Sequence, residues 1–356
     1  MAERAGIEAL AVHFTAGVAA GTLLLRLPAD PSVLSTGLLL VLASLVILVL
    51  KTERGGLLFP AFALLGAFCA FAEAFPGVDS TTFLERWTSA WADRLRAFID
   101  GIPFPSEGTA PLLKALLTGD RSGLSPDTVR AFRESGGAHL LALSGLHIGI
   151  LYLLLSRLLW PLGNSPRARR FRYALIVLAA GLFTLMTGAS PSIVRAFLFI
   201  FLGETARIAC RPRDPLRVLS TALLIQLVIT PSAITSTGFQ LSYLAMAGIF
   251  LLFPVLEGWY PKGPRIDPIR KIWEAAALSI SCQVFTGPLA WFRFHTFPTY
   301  FLLTNLVALP FTTLLMGSAV ATLALRGIHC CPGFLLLATD WLCRTLVWIL
   351  EVISSM

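Results

Sequence analysis

Charged side chains are scarce in this chain of 356 residues: Asp, Glu, Lys and Arg make up only 13% of it, against roughly 25% in an ordinary soluble domain. Hydrophobic residues account for 56%. This is too few charged residues to cover the surface of a water-soluble protein of this size. The composition therefore excludes that class of protein.

Three chemical signatures are also missing. The six cysteines contain no C-x-x-C pair, which argues against a disulfide framework or a zinc ribbon. The five histidines are scattered and include no H-x-H-x-D-H run, so a binuclear metal centre of that kind is excluded. The phosphate-binding loop G-x-x-x-x-G-K-S/T is absent. We expect no metal, no cofactor and no nucleotide-driven motor within the chain.

Long apolar runs are abundant, and about 20 apolar residues in a row are enough for an α-helix to cross a bilayer. Such runs lie at residues 9–27, 33–50, 56–75, 139–161, 172–188, 191–209, 216–233, 236–256, 274–294, 299–325 and 333–355. The sequence therefore predicts an all-α fold, a polytopic transmembrane helix bundle of about eleven spans.

The basic residues indicate which loops face the cytoplasm. One loop carries Arg167, Arg169 and Arg170 without an acidic residue, and another carries Arg211 and Arg213. Short cytoplasmic loops are enriched in Lys and Arg. Counting spans from these loops predicts a multi-pass protein with its N-terminus inside, its C-terminus outside, and the long segment 76–138 outside.

That outer segment has a pattern of its own. Apolar residues recur every three or four positions, which is typical of an amphipathic helix at a membrane interface; they are Leu84, Trp87, Trp91, Leu95 and Phe98. A helix packed on its own membrane domain explains the pattern equally. Ser125 followed by Pro126 predicts the start of a later helix, which Gly136 and Gly137 would end. We read the segment as helix, turn and helix at the membrane surface.

The pattern divides the chain into three predicted parts. Residues 1–75 hold the N-terminal spans, 76–138 form the short extracytoplasmic amphipathic segment, and 139–356 form the main transmembrane domain.

Four blocks of the chain resemble the ComEC family of competence proteins, in the family's order. They are LLTGDRSGLSPDTVRAFRESGGAHLLALSGLHIGIL at 116–151, GASPSIVRA at 188–196, GFQLSYLAMAGI at 238–249 and FHTFPTYFLLTNLVALP at 294–310. The resemblance implies a channel in the bacterial cytoplasmic (inner) membrane that conducts single-stranded DNA into the cell during natural transformation, and no enzymatic activity.

The resemblance also implies partners. These would be single-stranded DNA, membrane lipid, a cytosolic DNA-translocating ATPase, and an outer DNA receptor with its pilus machinery. Full-length members of the family usually carry an OB-like domain and a metallo-β-lactamase-like domain. Here 76–109 is too short for a five-stranded barrel and the histidine run is absent, so we expect separate nuclease and OB-fold proteins to supply those functions. The sequence indicates no oligomeric state.

Polar residues inside apolar runs are the candidates for the DNA path. A buried charge costs roughly 2.5 to 3.5 kcal/mol on insertion scales, so Arg195 is expected to face the interior or water and to contact phosphate. Snorkelling to the outer interface is the alternative. Ser144 and His147 fit a lining or gating role, a structural polar role or, least well, catalysis.

Uncharged polar side chains at membrane depth have two interpretations as well. Gln240, Tyr243 and Asn305 either line the path or make hydrogen bonds between helices. Likewise, Arg167, Arg169, Arg170, Arg211 and Arg213 either set the topology or form a basic inner vestibule for the strand.

Two other function classes stay open at this point. One is a secondary transporter of a small anionic solute on the same fold, because a fold does not dictate a function. The other is an intramembrane enzyme that uses His139 or His147.

Overall fold

A computed structural model describes residues 6–25, 36–37, 40–41, 43–44, 58–73, 81–141, 144–163, 165–212, 214–261, 267–295 and 299–356, with backbone only for 81–88. The described residues form fifteen α-helices. They are α1 (Ile7–Leu24), α2 (Leu58–Glu73), α3 (Thr81–Asp100), α4 (Thr109–Thr118), α5 (Pro126–Glu134), α6 (Ala138–Leu141), α7 (Gly145–Leu158), α8 (Pro166–Met186), α9 (Pro191–Ile208), α10 (Pro215–Ile229), α11 (Thr237–Leu251), α12 (Phe253–Glu257), α13 (Pro268–Phe294), α14 (Phe301–Gly327) and α15 (Gly333–Ser354). Two short 3-10 helices, Trp160–Leu162 and Pro231–Thr235, and separate helical residues at 36–37, 40–41 and 43–44 complete the described secondary structure.

The all-α membrane fold is confirmed. Within the described residues, five stretches are helical, long and apolar enough to cross a bilayer: α1, α11 with α12 (Thr237–Glu257), α13, α14 and α15. The helices α2, α7 and α10 are apolar but shorter. Most of the predicted span 33–50 lies outside the described residues, and the number of eleven spans stays a prediction.

Four helices begin with the same kind of pair, a Ser or Asp whose side chain caps the helix followed by proline. The pairs are Ser125 with Pro126, Ser165 with Pro166, Asp214 with Pro215, and Asp267 with Pro268. The cap oxygen accepts from free backbone N–H groups of the first turn, and proline has no N–H to leave unsatisfied. The predicted start at Ser125 is therefore confirmed, with its side chain accepting from the N–H of Thr128 at 3.1 Å.

The chain divides into two compact units. The first comprises residues 1–80 and 201–243, and the second comprises 81–200 and 244–356. The division into parts at residues 75 and 138 remains a sequence prediction.

In the first unit, α1 and α2 pack with their backbones almost touching. A Cβ built on Gly17 would lie 1.8 Å from the carbonyl oxygen of Ala63, and one on Gly66 would lie 2.1 Å from that of Phe14. Farther along, Gly21 faces Ala67 and Ala70 in the same way. Because the contacts advance together along both helices, α1 and α2 run parallel.

Polar contacts join these helices to the region of α10 at both ends. Near the start of α1, Glu8 lies 3.8 Å from Arg217 in the first turn of α10. At the end of α2, the Glu73 carboxylate accepts from the backbone N–H and the hydroxyl of Ser232, which follows α10, at 2.6 and 2.7 Å. Hence α1, α2 and α10 all point the same way.

In the second unit, α4 lies in the core. Its residues Leu112, Leu113 and Leu116 are at most 1% exposed and share one apolar cluster with Leu315 of α14 and Leu346 of α15. The helices predicted for the outer segment are present, since α3, α4 and α5 occupy 81–134. However, α4 is packed inside the unit and not on its surface.

Candidate functional site

Arg195 lies in the second turn of α9 and its side chain is turned into the second unit, since the residue is only 8% exposed. Its Nη2 atom would lie 3.5 Å from a Cβ placed on Gly145, the first residue of α7. The same Cβ would meet the methyl group of Ala196 at 3.2 Å. The absent side chain of Gly145 therefore lets the guanidinium rest against the beginning of α7.

This arrangement concentrates positive potential. The N-terminal turn of α7 lies against the second turn of α9 there, and a helix N-terminus carries about half a positive charge from its aligned peptide dipoles. The guanidinium of Arg195 beside it adds a full positive charge. We call this group, the N-terminal turn of α7 with Arg195, the cationic corner. Helix N-termini and guanidinium groups are the donors that proteins commonly use for phosphate.

Ser144 and His147 shape the start of α7. The Ser144 hydroxyl accepts from the N–H of Leu146 at 3.3 Å, and the Nδ1 atom of His147 accepts from the N–H of Ser144 at 3.0 Å. These reciprocal bonds form a capping box. Both residues thus hold the helix N-terminus that contributes to the cationic corner.

The second ring nitrogen of His147, Nε2, takes no part in the capping box. Because Nδ1 accepts from a backbone N–H, the proton of the neutral ring sits on Nε2. That atom is buried and has no hydrogen-bond partner among the described residues. A catalytic Ser–His pair requires a further group to orient the histidine, and none lies at Nε2 in the described part of the chain.

Asn305 lies in the first turns of α14. Its side chain lies near that of His139, whose Nδ1 lies 3.1 Å from the carbonyl oxygen of Gly136. The Oδ1 atom of Asn305 is buried without a partner in the described residues. Asn305 therefore keeps an acceptor that an internal water or a ligand donor would satisfy.

Gln240 and Tyr243 belong to the first unit, where their polar atoms already have partners. The Gln240 amide donates to the carbonyl oxygen of Ile234 at 2.8 Å. The Tyr243 hydroxyl donates to Oε1 of Gln226 on α10 at 3.0 Å, and its ring packs on Phe239. This geometry favours the interhelical role over the lining role for Tyr243, whereas the Gln240 bond is local to the start of α11.

The arginines of the predicted inner vestibule fall on two segments. Arg167 and Arg169 are exposed in the first turn of α8, Arg170 is exposed directly after that turn, and Arg211 is exposed after α9. Arg213 lies outside the described residues. Cations oppose the dipole at a helix N-terminus. The position of the first three is therefore not explained by helix stability, which leaves topology or a polyanion as the reason.

One buried charge escaped the sequence analysis. Asp340 is 4% exposed in α15 and accepts hydrogen bonds from Ser106 and Thr109. An acid in the middle of the apolar run 333–355 was the available signal, and a charge in an apolar run is also what singled out Arg195.

Comparison with known proteins agrees with the fold. The model of the family described as competence protein matches residues 116–356. The chain belongs to the competence protein family. No solved structure matches it significantly.

Members of this family in several bacteria are similar in sequence. ComE operon protein 3 of Bacillus subtilis (strain 168) is 26% identical over 254 residues, covering 70% of this chain and 30% of that protein. Competence protein ComA of Neisseria gonorrhoeae is 29% identical over 257 residues, covering 68% and 34%. Recombination protein 2 of Haemophilus influenzae is 25% identical over 213 residues, covering 58% and 27%. The chain thus spans about a third or less of these curated relatives' length.

Proposed function

We propose that this competence protein conducts single-stranded DNA through the bacterial cytoplasmic membrane during natural transformation. Membership of the competence family supports a role in DNA uptake. The cationic corner is the observation that carries the channel role, because a buried guanidinium beside a helix N-terminus suits a phosphodiester passing through a membrane.

The energetics of transport supports the proposed partners. Moving negative charge into a cell against an inside-negative potential costs about 2.3 kcal/mol per charge per 100 mV. This chain has no phosphate-binding loop and so no visible motor. We therefore propose a cytosolic DNA-translocating ATPase inside, a DNA receptor with pilus machinery outside, and separate nuclease and OB-fold proteins.

The proposed sidedness places the N-terminus inside and the C-terminus outside. It is supported by the parallel course of α1, α2 and α10, since the topology predicted from charge also runs these three helices from inside to outside. The arginines at the start of α8 would then face the cytoplasm, where they would meet the emerging strand.

The decisive experiment removes the charge of the cationic corner. In a transformable host, we expect Arg195→Ala to lower uptake of labelled DNA into the cytosol at least tenfold without lowering the amount of protein in the membrane. Arg195→Lys should retain part of the uptake, because lysine keeps the charge but loses the planar guanidinium.

The matched control is Arg130→Ala. Arg130 is an exposed arginine on α5, and its nearest acidic partner is Asp127 at 3.6 Å. Its removal should leave uptake unchanged. Wild-type uptake by the Arg195→Ala strain would remove Arg195 from the mechanism, and unchanged uptake after deletion of the gene would reject the channel function itself.

A further inference from the structure

The segment that contains α4 and α5 extends along most of the length of α14. At one end, Asp340 of α15 accepts from the N–H and hydroxyl of Ser106 at 3.0 and 2.9 Å, and from the hydroxyl of Thr109 at 2.6 Å. At the other end, the hydroxyl of Thr304 in the first turn of α14 donates to the carbonyl oxygen of Ser135.

The distance between these two ends follows from helix geometry. Thr339, the neighbour of Asp340, pairs with Thr322 of α14 at 3.0 Å, so the Asp340 contact lies at the level of Thr322. Thr322 is eighteen residues beyond Thr304, or about 27 Å along the helix. The chain from Thr109 to Ser135 therefore covers nearly the thickness of the hydrocarbon core, about 30 Å.

The helix α3 runs antiparallel to α4 across this same depth. Asp100 lies 2.7 Å from Lys114, and the Nε atom of Arg96 lies 3.4 Å from the hydroxyl of Thr118 and 3.6 Å from Asp120. Asp100 thus lies about one helical turn above the Asp340 contact, and Arg96 lies two to three turns above it.

The charges of α3 are accessible. The side chains of Asp93 and Asp100 are 68% and 53% exposed, and that of Arg96 is 34% exposed. Arg94 is exposed as well, with its guanidinium 5.1 Å from the ring centroid of Trp91. Three exposed charges and a partly exposed fourth on about two turns of one helix are incompatible with lipid, because ionisable groups at membrane depth face a water-filled cavity or the interior of a bundle.

We infer that α3 is one wall of a water-filled path inside the membrane, held at its depth by the anchoring of the α3–α4 turn on Asp340. For its cargo this inference rests on the proposed function: Arg94 stacked over Trp91 presents a cation and an aromatic face, the pair that binds single strands without sequence preference. The hydration of the wall is a separate physical property and is tested separately.

Two small probes at one depth test the hydration. Ala97 is exposed on α3, next to Arg96, and lies about 13 Å above the Asp340 contact. Leu314 is 61% exposed on α14, eight residues before Thr322, which places it about 12 Å above the same contact. Cysteine at either position, in the full chain with its six native cysteines replaced, carries a nitroxide spin label.

The labelled protein is placed in vesicles of phosphatidylethanolamine and phosphatidylglycerol. Relaxation of the spin label is then measured with oxygen, which concentrates in lipid, and separately with a neutral nickel chelate, which stays in water. We expect the A97C label to respond at least five times more to the chelate, relative to oxygen, than the L314C label. A single-stranded oligonucleotide should reduce the chelate response at A97C.

Either of two results would overturn the inference. A response dominated by oxygen at A97C would place α3 against lipid, and a response dominated by the chelate at L314C would place this depth outside the membrane. A third result separates the two parts of the inference. If the A97C label responds to the chelate but not to the oligonucleotide, and deletion of the gene leaves DNA uptake unchanged, α3 lines a hydrated path whose cargo is not DNA.

Discussion

The α1–α2 pair and the α3–α4 hairpin are both helix pairs, but different forces hold them. Gly17 and Gly66 let α1 and α2 approach until side chains have no room between them. By contrast, α4 is fixed by hydrogen bonds to the buried carboxylate of Asp340 and α3 by ion pairs to α4. In lipid, where water drives no association between apolar helices, close packing and polar bonds are the two available means. The pair that packs through glycines, with its acidic residues only near the helix ends, suits a lipid-facing structure. The hairpin suits a wet one.

The largest effect on stability is expected when a bulky side chain is placed in the contact between α1 and α2. In Gly17→Leu, the new side chain would begin 1.8 Å from the carbonyl oxygen of Ala63. A backbone atom is unable to rotate away, so the two helices must separate. We expect a loss of more than about 3 kcal/mol in the free energy of unfolding, measured by denaturant titration in detergent.

The control for this variant is Gly317→Ala. Nothing lies within 4 Å of a Cβ at Gly317, in the middle of α14. This change should be neutral or stabilise by up to about 1 kcal/mol, because alanine favours a helix. Equal stability of Gly17→Leu and the wild-type protein would mean that α1 and α2 are not in backbone contact.

A smaller loss is expected when the polar anchor of the hairpin is removed. Asp340→Ala leaves the buried hydroxyl of Thr109 and the partly buried donors of Ser106 without this acceptor, for a loss of about 2 kcal/mol. Asp340→Asn keeps one oxygen and should lose about half as much. Protease cleavage in the turn 101–108, quantified on the purified protein, should increase in the alanine variant and much less in the asparagine variant. Unchanged cleavage in both variants would show that Asp340 does not anchor the turn.

The hydrogen bond from Tyr243 to Gln226 tests a single polar contact in the first unit. Tyr243→Phe removes the donor to Gln226 and should reduce the free energy of unfolding by about 1 kcal/mol. DNA uptake should stay at the wild-type level once protein amounts are equalised. A tenfold loss of uptake without loss of stability would instead assign Tyr243 to the path.

The smallest effect concerns the cap of α13. Hydrogen bonds from the N–H of Arg270, the hydroxyl of Tyr260 and the N–H of Ile269 hold the pKa of Asp267 below its ordinary value of 3.8. The ionised cap therefore contributes stability above about pH 4, and this contribution disappears as the pH falls through the lowered pKa. Between pH 6 and 3 the wild-type melting temperature should fall slightly more than that of Asp267→Asn. Parallel curves would contradict this assignment.

The sequence was sufficient for the helical class and for several helix boundaries. Apolar runs give the spans because every backbone group in lipid must be bonded internally, and the Ser125 and Pro126 pair marks a helix start by local chemistry alone. Arg195 was singled out for the same local reason, as a charge in an apolar run.

Contacts between distant residues were beyond such local signals. Nothing near Gly145 in sequence indicates that it makes room for Arg195, and nothing near Thr109 indicates that α4 is buried against α14. The spacing of Gly17 and Gly21, a small residue every fourth position in an apolar helix, was a usable sign of close packing. Asp340 was equally visible. Its partners were not, because they precede it by more than two hundred residues.

This separation along the chain affects how the protein is made. Thr109 and Asp340 are 231 residues apart, and a bacterial ribosome adds roughly 5 to 20 residues per second. Ser106 and Thr109 therefore wait roughly 10 to 50 seconds after synthesis for their acceptor, which arrives only when α15 is made. Until then the turn between α3 and α4 is without its anchor, although both helices have already been synthesised.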